Sequence, residues 1–190
     1  DISAGPVLKL AVTALGDLAG QSPVTRSGAR PGDVLAVAGH LGRSAAGLAL
    51  LQAGLDQPAS LLAAHRWPHP DYAAGPEAAR LGATSMIDVS DGLVADLGHV
   101  ATASAVRIEL ARSAFEVPDP RVEGAAARVG DPLDWVLGGG GDHALAATFA
   151  SSASVPDGWR VVGEVTATDT EGVVLVDGSP YSKGGFDHFA

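Results

Sequence analysis

The segment Met86-Ile87-Asp88-Val89-Ser90-Asp91-Gly92-Leu93, continued by Val94-Ala95-Asp96-Leu97, constrains the fold of this chain more than any other. An apolar run suited to a strand stops there. Two carboxylates and a hydroxyl follow in quick succession, and a helical period then begins through Leu93, Leu97, Val100, Ala101 and Ser104. Residues two apart in a strand share a face, so Asp88 and Ser90 point the same way while Asp91 and Gly92 turn into the helix. Three oxygen ligands converging on a strand-to-helix junction suit a divalent metal that carries phosphates. The same position offers a second use, because Asp91 or Ser90 could accept a backbone N–H as a helix cap. From these residues alone both readings stand.

The surrounding pattern alternates strands and helices. Residues 7–15 are strand-like, residues 16–32 are polar and broken by Gly and Pro, and 33–38 form a short strand of the buried type. The glycine turn Gly39-His40-Leu41-Gly42-Arg43-Ser44 then leads into an Ala/Leu-rich helix reaching about Ala53. Pro68 and Pro70 mark a loop, and Pro76 in a first turn opens a helix that stops near Gly82. Residues 84–89 and 106–110 read as strands, 121–129 and 131–137 as helices, and 143–149, 161–165 and 173–176 as further strands. The last of these ends on the turn signal Asp177-Gly178. This mixture predicts an α/β chain of layered α+β type, with a boundary at residues 28–32.

Composition narrows the function. With 190 residues, 46% of them apolar, the chain can bury a real core. Its 12 basic and 22 acidic residues give a formal charge of −10, and no Lys or Arg cluster could track a nucleic-acid backbone. A phosphorylated substrate on so acidic a protein needs local compensation, for which Mg²⁺ is the usual source. There is no cysteine, which excludes disulfides and thiolate zinc sites. The longest weakly polar stretch, 44–55, contains Gln52 and two glycines and falls short of the ~18 apolar residues that a membrane span requires. The chain opens at Asp1 without a Met, a basic n-region or an apolar h-region, so it reads as the remnant of something longer, a secretory signal is not expected, and a cytoplasmic protein is expected.

Two glycine segments extend the phosphate reading. The turn Gly39-x-x-Gly42-x-Ser44 could present backbone N–H groups to a phosphate at a helix N-terminus, or could simply be a tight turn. Glycines 138–141, followed by Asp142 and His143, allow close backbone approach by a ligand, or form a loop. His40, His65, His69, His99, His143 and His188 show no paired metal-ligand spacing, and no local Ser/His/Asp grouping stands out.

Taken in order, six segments resemble the thiamine-monophosphate kinase family, within the superfamily that also holds aminoimidazole ribonucleotide synthetase and selenophosphate synthetase. They are Val12-Thr13-Ala14-Leu15-Gly16, Thr25-Arg26-Ser27-Gly28-Ala29-Arg30-Pro31-Gly32-Asp33, Gly42-Arg43-Ser44-Ala45-Ala46-Gly47-Leu48, Met86 through Leu93, Gly139-Gly140-Gly141-Asp142-His143-Ala144-Leu145, and Gly185-Phe186-Asp187-His188-Phe189. The similarity is weakest over residues 110–131. It implies that residues 1–30 are the tail of an N-terminal ATP-binding and dimerisation domain, and that 31–190 are the C-terminal α/β domain of the aminoimidazole ribonucleotide synthetase-like fold. It also implies an ATP-dependent transfer to thiamine monophosphate with Mg²⁺, in a homodimer. By the same resemblance Asp1, Asp88 and Asp91 are metal ligands, Arg26 and Ser90 contact ATP, and Phe186 stacks on the thiamine moiety. One position departs from the pattern: the family reads Gly-Gly-Glu-Asp, its glutamate contacting substrate, where this chain has Gly141. Asp142 beside it is the remaining candidate for that contact.

Overall fold

The computed structural model describes residues 11–115, 120–183 and 185. Its frame is a seven-stranded sheet in the order β2-β4-β1-β5-β3-β6-β7. The strands are β1 (Val34–Ala38), β2 (Ala83–Val89), β3 (Arg107–Leu110), β4 (Ala144–Phe149), β5 (Arg160–Thr166), β6 (Val173–Val176) and β7 (Ser179–Pro180). All neighbours pair antiparallel except β3 and β6, which run parallel. The Asp177-Gly178 turn, with φ of 49° and 74°, joins β6 to β7 as its sequence predicts.

Strand β1 lies inside the sheet and is covered on both faces, which is why it reads as an unbroken apolar run. Leu35 and Val37 face one core, whereas Val34 and Ala36 face another. The first core is built against α4 (Leu93–Ser104) and α6 (Pro132–Gly138). Leu93, Leu97, Val100 and Leu137 meet Ile108, Leu110, Val162 and Val165 there. Burying each such side chain stabilises the fold by ~1.5–3 kcal/mol over leaving it exposed, so the period of α4 fixes which helix face lies on the sheet. On the opposite face, α3 (Ala74–Arg80) places Ala78 beside Ala147 and Phe149. Trp159 meets the Phe149 ring edge-on at 5.7 Å. A third cluster joins α1 (Arg43–Gln52), α2 (Ala59–Arg66) and α5 (Pro120–Val129) through Leu50, Leu61, Leu62 and Val122.

One expectation changes, and two helices add detail. Residues 11–15 are not a strand: Val12 and Leu15 are 90% and 95% exposed, and no strand pairs with them among the described residues. Apolar alternation makes a strand only where a neighbour takes its N–H and C=O groups. Helix α3 begins two residues before Pro76, which is tolerated because N–H groups of a first turn lack intrahelical partners. Helix α2 was unmarked by the turn and period signals on either side of it.

The approach to the sheet matters for the site. The Thr25 carbonyl accepts from Met86 N–H at 3.1 Å, so the chain before β1 runs beside β2, an edge strand. Ala29 is already in the main core, and Gly32 N–H donates to the Val165 carbonyl.

Candidate functional site

Strand β2 ends as its alternation requires. Val89 is 1% exposed in the core, while Asp88 stands out from the opposite side and is exposed. The backbone then turns through residues 90–92 into α4, with Gly92 rather than Ser90 or Asp91 at the N-cap. Glycine has no side chain with which to cap, and the cap comes from within the helix. Asp96 Oδ2 accepts from the N–H groups of Ser90, Asp91 and Gly92 at 2.9, 3.0 and 3.2 Å. Asp96 is 4% exposed, and burial lifts its carboxyl above the usual carboxylate range. The three N–H bonds oppose that rise, whereas the charge of Asp91 adds to it. Three successive backbone donors of this kind otherwise form an anion nest. Here they are turned inward and taken, leaving this edge of the junction to its side chains.

The glycine loop closes the other side of the same turn. Gly141 N–H donates to the Ser90 carbonyl at 2.8 Å, and a Cβ on Gly140 would stand 2.1 Å from that same oxygen. Close approach therefore excludes a side chain at 140. Gly141 has φ +83°, and a Cβ there would lie 2.7 Å from Ser44 Oγ. The position where the resemblance expects glutamate is thus a left-handed residue with a serine packed against it.

Asp142 lines a cavity beside the site and at the same time holds the start of α1. Its Oδ1 accepts from Ser44 N–H at 2.8 Å, and the N–H groups of Gly42 and Arg43 also favour its charged form. The N-terminus of α1, one of the two candidate phosphate cradles, is therefore filled by this carboxylate. Burial nevertheless raises its pKa from 3.8 to about 6, and Oδ2 is buried without a hydrogen-bond partner. The next residue, His143, places Nδ1 3.7 Å from Asp88 Oδ2. Residues 142 and 143 thus tie the start of α1 to the end of β2.

Asp88, Ser90 and Asp91 are brought together with the 138–141 loop. Arg26 is located through its backbone: its carbonyl accepts from Ser104 Oγ at 2.9 Å at the end of α4, and Thr25 before it is bonded to Met86, two residues short of Asp88. Asp1 and Phe186 lie outside the described residues. Among the described residues no three His, Cys, Asp or Glu side chains form a metal cluster. Asp88 and Asp91 still fit Mg²⁺, which is commonly held by one or two carboxylates with water and substrate phosphates completing the shell.

Sequence reasoning missed three contacts. Asp96 carried a legible signal, since it lies within the apolar stripe of α4, between Leu93 and Val100. The approach of His143 Nδ1 to Asp88 and the Ser44 Oγ to His65 Nδ1 bond of 3.1 Å needed the fold. Ser44 is 3% exposed, and Asp142 meets its N–H rather than His65, so this grouping is a buried link between α1 and α2 and not a hydrolytic triad. A cavity of ≈ 440 Å³ adjoins the site, lined by His40, Arg43, Trp67, His69, Asp142 and His143. No helix among the described residues is long and apolar enough to cross a membrane.

No family model matches the chain. Over 174 residues it is 51% identical to the thiamine-monophosphate kinase of Mycobacterium tuberculosis H37Rv, covering 91% of this chain and 51% of that protein. It is 44% identical over 184 residues to that of Corynebacterium glutamicum, covering 93% and 55%. The chain therefore spans about half the length of the curated relatives it matches. Among solved structures, AaThiL complexed with AMPPCP and TMP superposes with a TM-score of 0.72 at 31% identity, over 87% of this chain and 54% of that one. Thiamine-monophosphate kinase from Stenotrophomonas maltophilia K279a also reaches 0.72, at 30% identity over 86% and 55%. The hydrogenase maturation protein HypE, at 18% identity and TM-score 0.60 over 81% and 52%, shares the fold, which is aminoimidazole ribonucleotide synthetase-like. In sequence and in fold, the chain belongs to the thiamine-monophosphate kinase family.

Proposed function

We propose that the protein containing this chain transfers the γ-phosphoryl group of ATP to the phosphate of thiamine monophosphate, giving thiamine diphosphate and ADP. The observation that carries this reading is the Asp88 and Asp91 pair on a turn whose backbone donors are already committed to Asp96. Such a turn binds polyanions through a cation held on its carboxylates, and Mg²⁺, when bound, would supply charge neutralisation on the phosphates. The curated relatives carry the kinase name, and one similar structure was solved with AMPPCP and TMP.

The chemistry asks little of a general base. A phosphate monoester has a second pKa of ~6, so the acceptor oxygen is already anionic at neutral pH. A bond forms between that oxygen and the γ-phosphorus, the bond to the β-phosphate oxygen breaks, and its electron pair leaves with ADP. What remains for the protein is to hold two polyanions in line. Asp88, Asp91 and Asp1 are assigned to metal, and Ser90 to the nucleotide phosphates. Arg26 is assigned to offsetting charge on the nucleotide phosphates through its planar, always protonated fork. Phe186 is assigned to stacking on the thiamine rings. Asp142, which holds the start of α1 and also lines the adjoining cavity, remains the candidate substrate contact. The division at residue 30, a homodimer and a cytoplasmic location complete the proposal.

The full-length protein, given ATP, Mg²⁺ and thiamine monophosphate, forms thiamine diphosphate and ADP in equal amounts, with no comparable ADP release on thiamine or inorganic phosphate. A second reading, nucleotide binding without transfer, is favoured by the closed geometry at Gly141. Bound nucleotide with no thiamine diphosphate would establish it and refute the kinase.

A further inference from the structure

We propose that Asp96 is a positioning residue, whose carboxylate sets the backbone of residues 90–92 and thereby the direction in which Asp91 meets a cation. The proposal rests on the reading of the junction as a Mg–nucleotide site. Its physical ground is a buried carboxylate in an otherwise apolar helix stripe, between Leu93 and Val100 on a helix whose N-cap is glycine. A leucine or alanine at 96 would pack there without the cost of burying a charge. The aspartate instead gathers three consecutive N–H groups on one oxygen, at 2.9 to 3.2 Å.

The turn is held from two sides. Asp96 takes its N–H groups, and Gly141 N–H takes the Ser90 carbonyl at 2.8 Å. With both held, the backbone from which the Asp91 side chain departs is fixed. Released from Asp96, the three N–H groups would form a free nest that competes with Ser90 and with the cation on Asp91 for phosphate. Asp96 touches neither nucleotide nor metal in this arrangement. It acts through the turn, as supports behind metal ligands do, and losing such supports typically lowers metal affinity by roughly 10–100-fold.

The test compares wild type, Asp96→Asn and Asp96→Ala in the full-length protein. Three quantities are read: amide hydrogen exchange across residues 90–92, the Mg²⁺ dependence of binding a non-hydrolysable ATP analogue, and thermal unfolding. Asparagine keeps an acceptor oxygen and alanine does not. Exchange at 90–92 therefore accelerates in Asp96→Asn and further in Asp96→Ala. The Mg²⁺ needed for half-maximal analogue binding rises about tenfold in Asp96→Asn and more in Asp96→Ala, while Asp96→Asn still unfolds cooperatively. Faster exchange with an unchanged Mg²⁺ dependence makes Asp96 a support of the fold alone and overturns the proposal, as does unchanged exchange. A wild type that binds no analogue with Mg²⁺ fails at the junction reading itself, which separates that failure from the failure of Asp96 to position Asp91.

Discussion

Asp142 makes the stability of this fold depend on pH in a direction opposite to that of an ordinary paired aspartate. Its carboxyl is raised from 3.8 to about 6 by burial, despite the N–H groups at the start of α1. A group whose folded pKa lies above its unfolded value binds protons more tightly when folded. Its stabilising contribution is complete below pH 3.8 and is lost as pH rises through 6. At about 1.4 kcal/mol per pH unit, the full change is roughly 3 kcal/mol. Asp142→Asn keeps an oxygen for Ser44 N–H but carries no charge, so it escapes this loss. Urea unfolding of both proteins from pH 4 to pH 8 isolates the effect, since other titrating groups cancel in the difference. The variant should gain on wild type by roughly 2–3 kcal/mol across that range, most of it between pH 4 and 6. A difference that stays flat to within about 0.5 kcal/mol would refute the burial argument for Asp142.

The glycine loop yields two further expectations. Gly140→Ala forces a methyl group against the Ser90 carbonyl and strains the bond from Gly141 N–H, costing ~1–3 kcal/mol in denaturant unfolding and weakening Mg–nucleotide binding in calorimetry. Gly141→Glu, which restores the carboxylate expected from the family pattern, places a side chain at φ +83° against Ser44 Oγ and lowers stability by ~1–2 kcal/mol from the backbone conformation alone; unchanged unfolding would show that the backbone accommodates glutamate freely.

Legibility tracked the range of the interactions. The continuous apolar run of β1 and the 93, 97, 100, 101 period of α4 are local patterns, and both name the faces that the sheet and helix bury. The strand-to-helix junction was equally plain, because Val89 buried and Asp88 exposed follow from alternation. Capping at the junction was not, since the first suspects were Ser90 and Asp91 while the acceptor was Asp96, a polar residue hidden by its place in an apolar stripe. The role of Asp142 was beyond local reading: its partner Ser44 is 98 positions away, and only the antiparallel pairing of β1 with β4 brings them together. Residues 11–15 failed for the complementary reason, carrying strand-like alternation without a described neighbour to pair with.

The central claim is that Asp88 and Asp91 hold the cation that carries the nucleotide phosphates, and calorimetric titration of the full-length protein with a non-hydrolysable ATP analogue tests it directly. Wild type should bind the analogue only with Mg²⁺ present, and Asp91→Asn, which leaves the N–H bonds to Asp96 in place, should require at least about tenfold more Mg²⁺ for the same binding. Equal Mg²⁺ dependence in the two proteins, or analogue binding that ignores Mg²⁺, would contradict it.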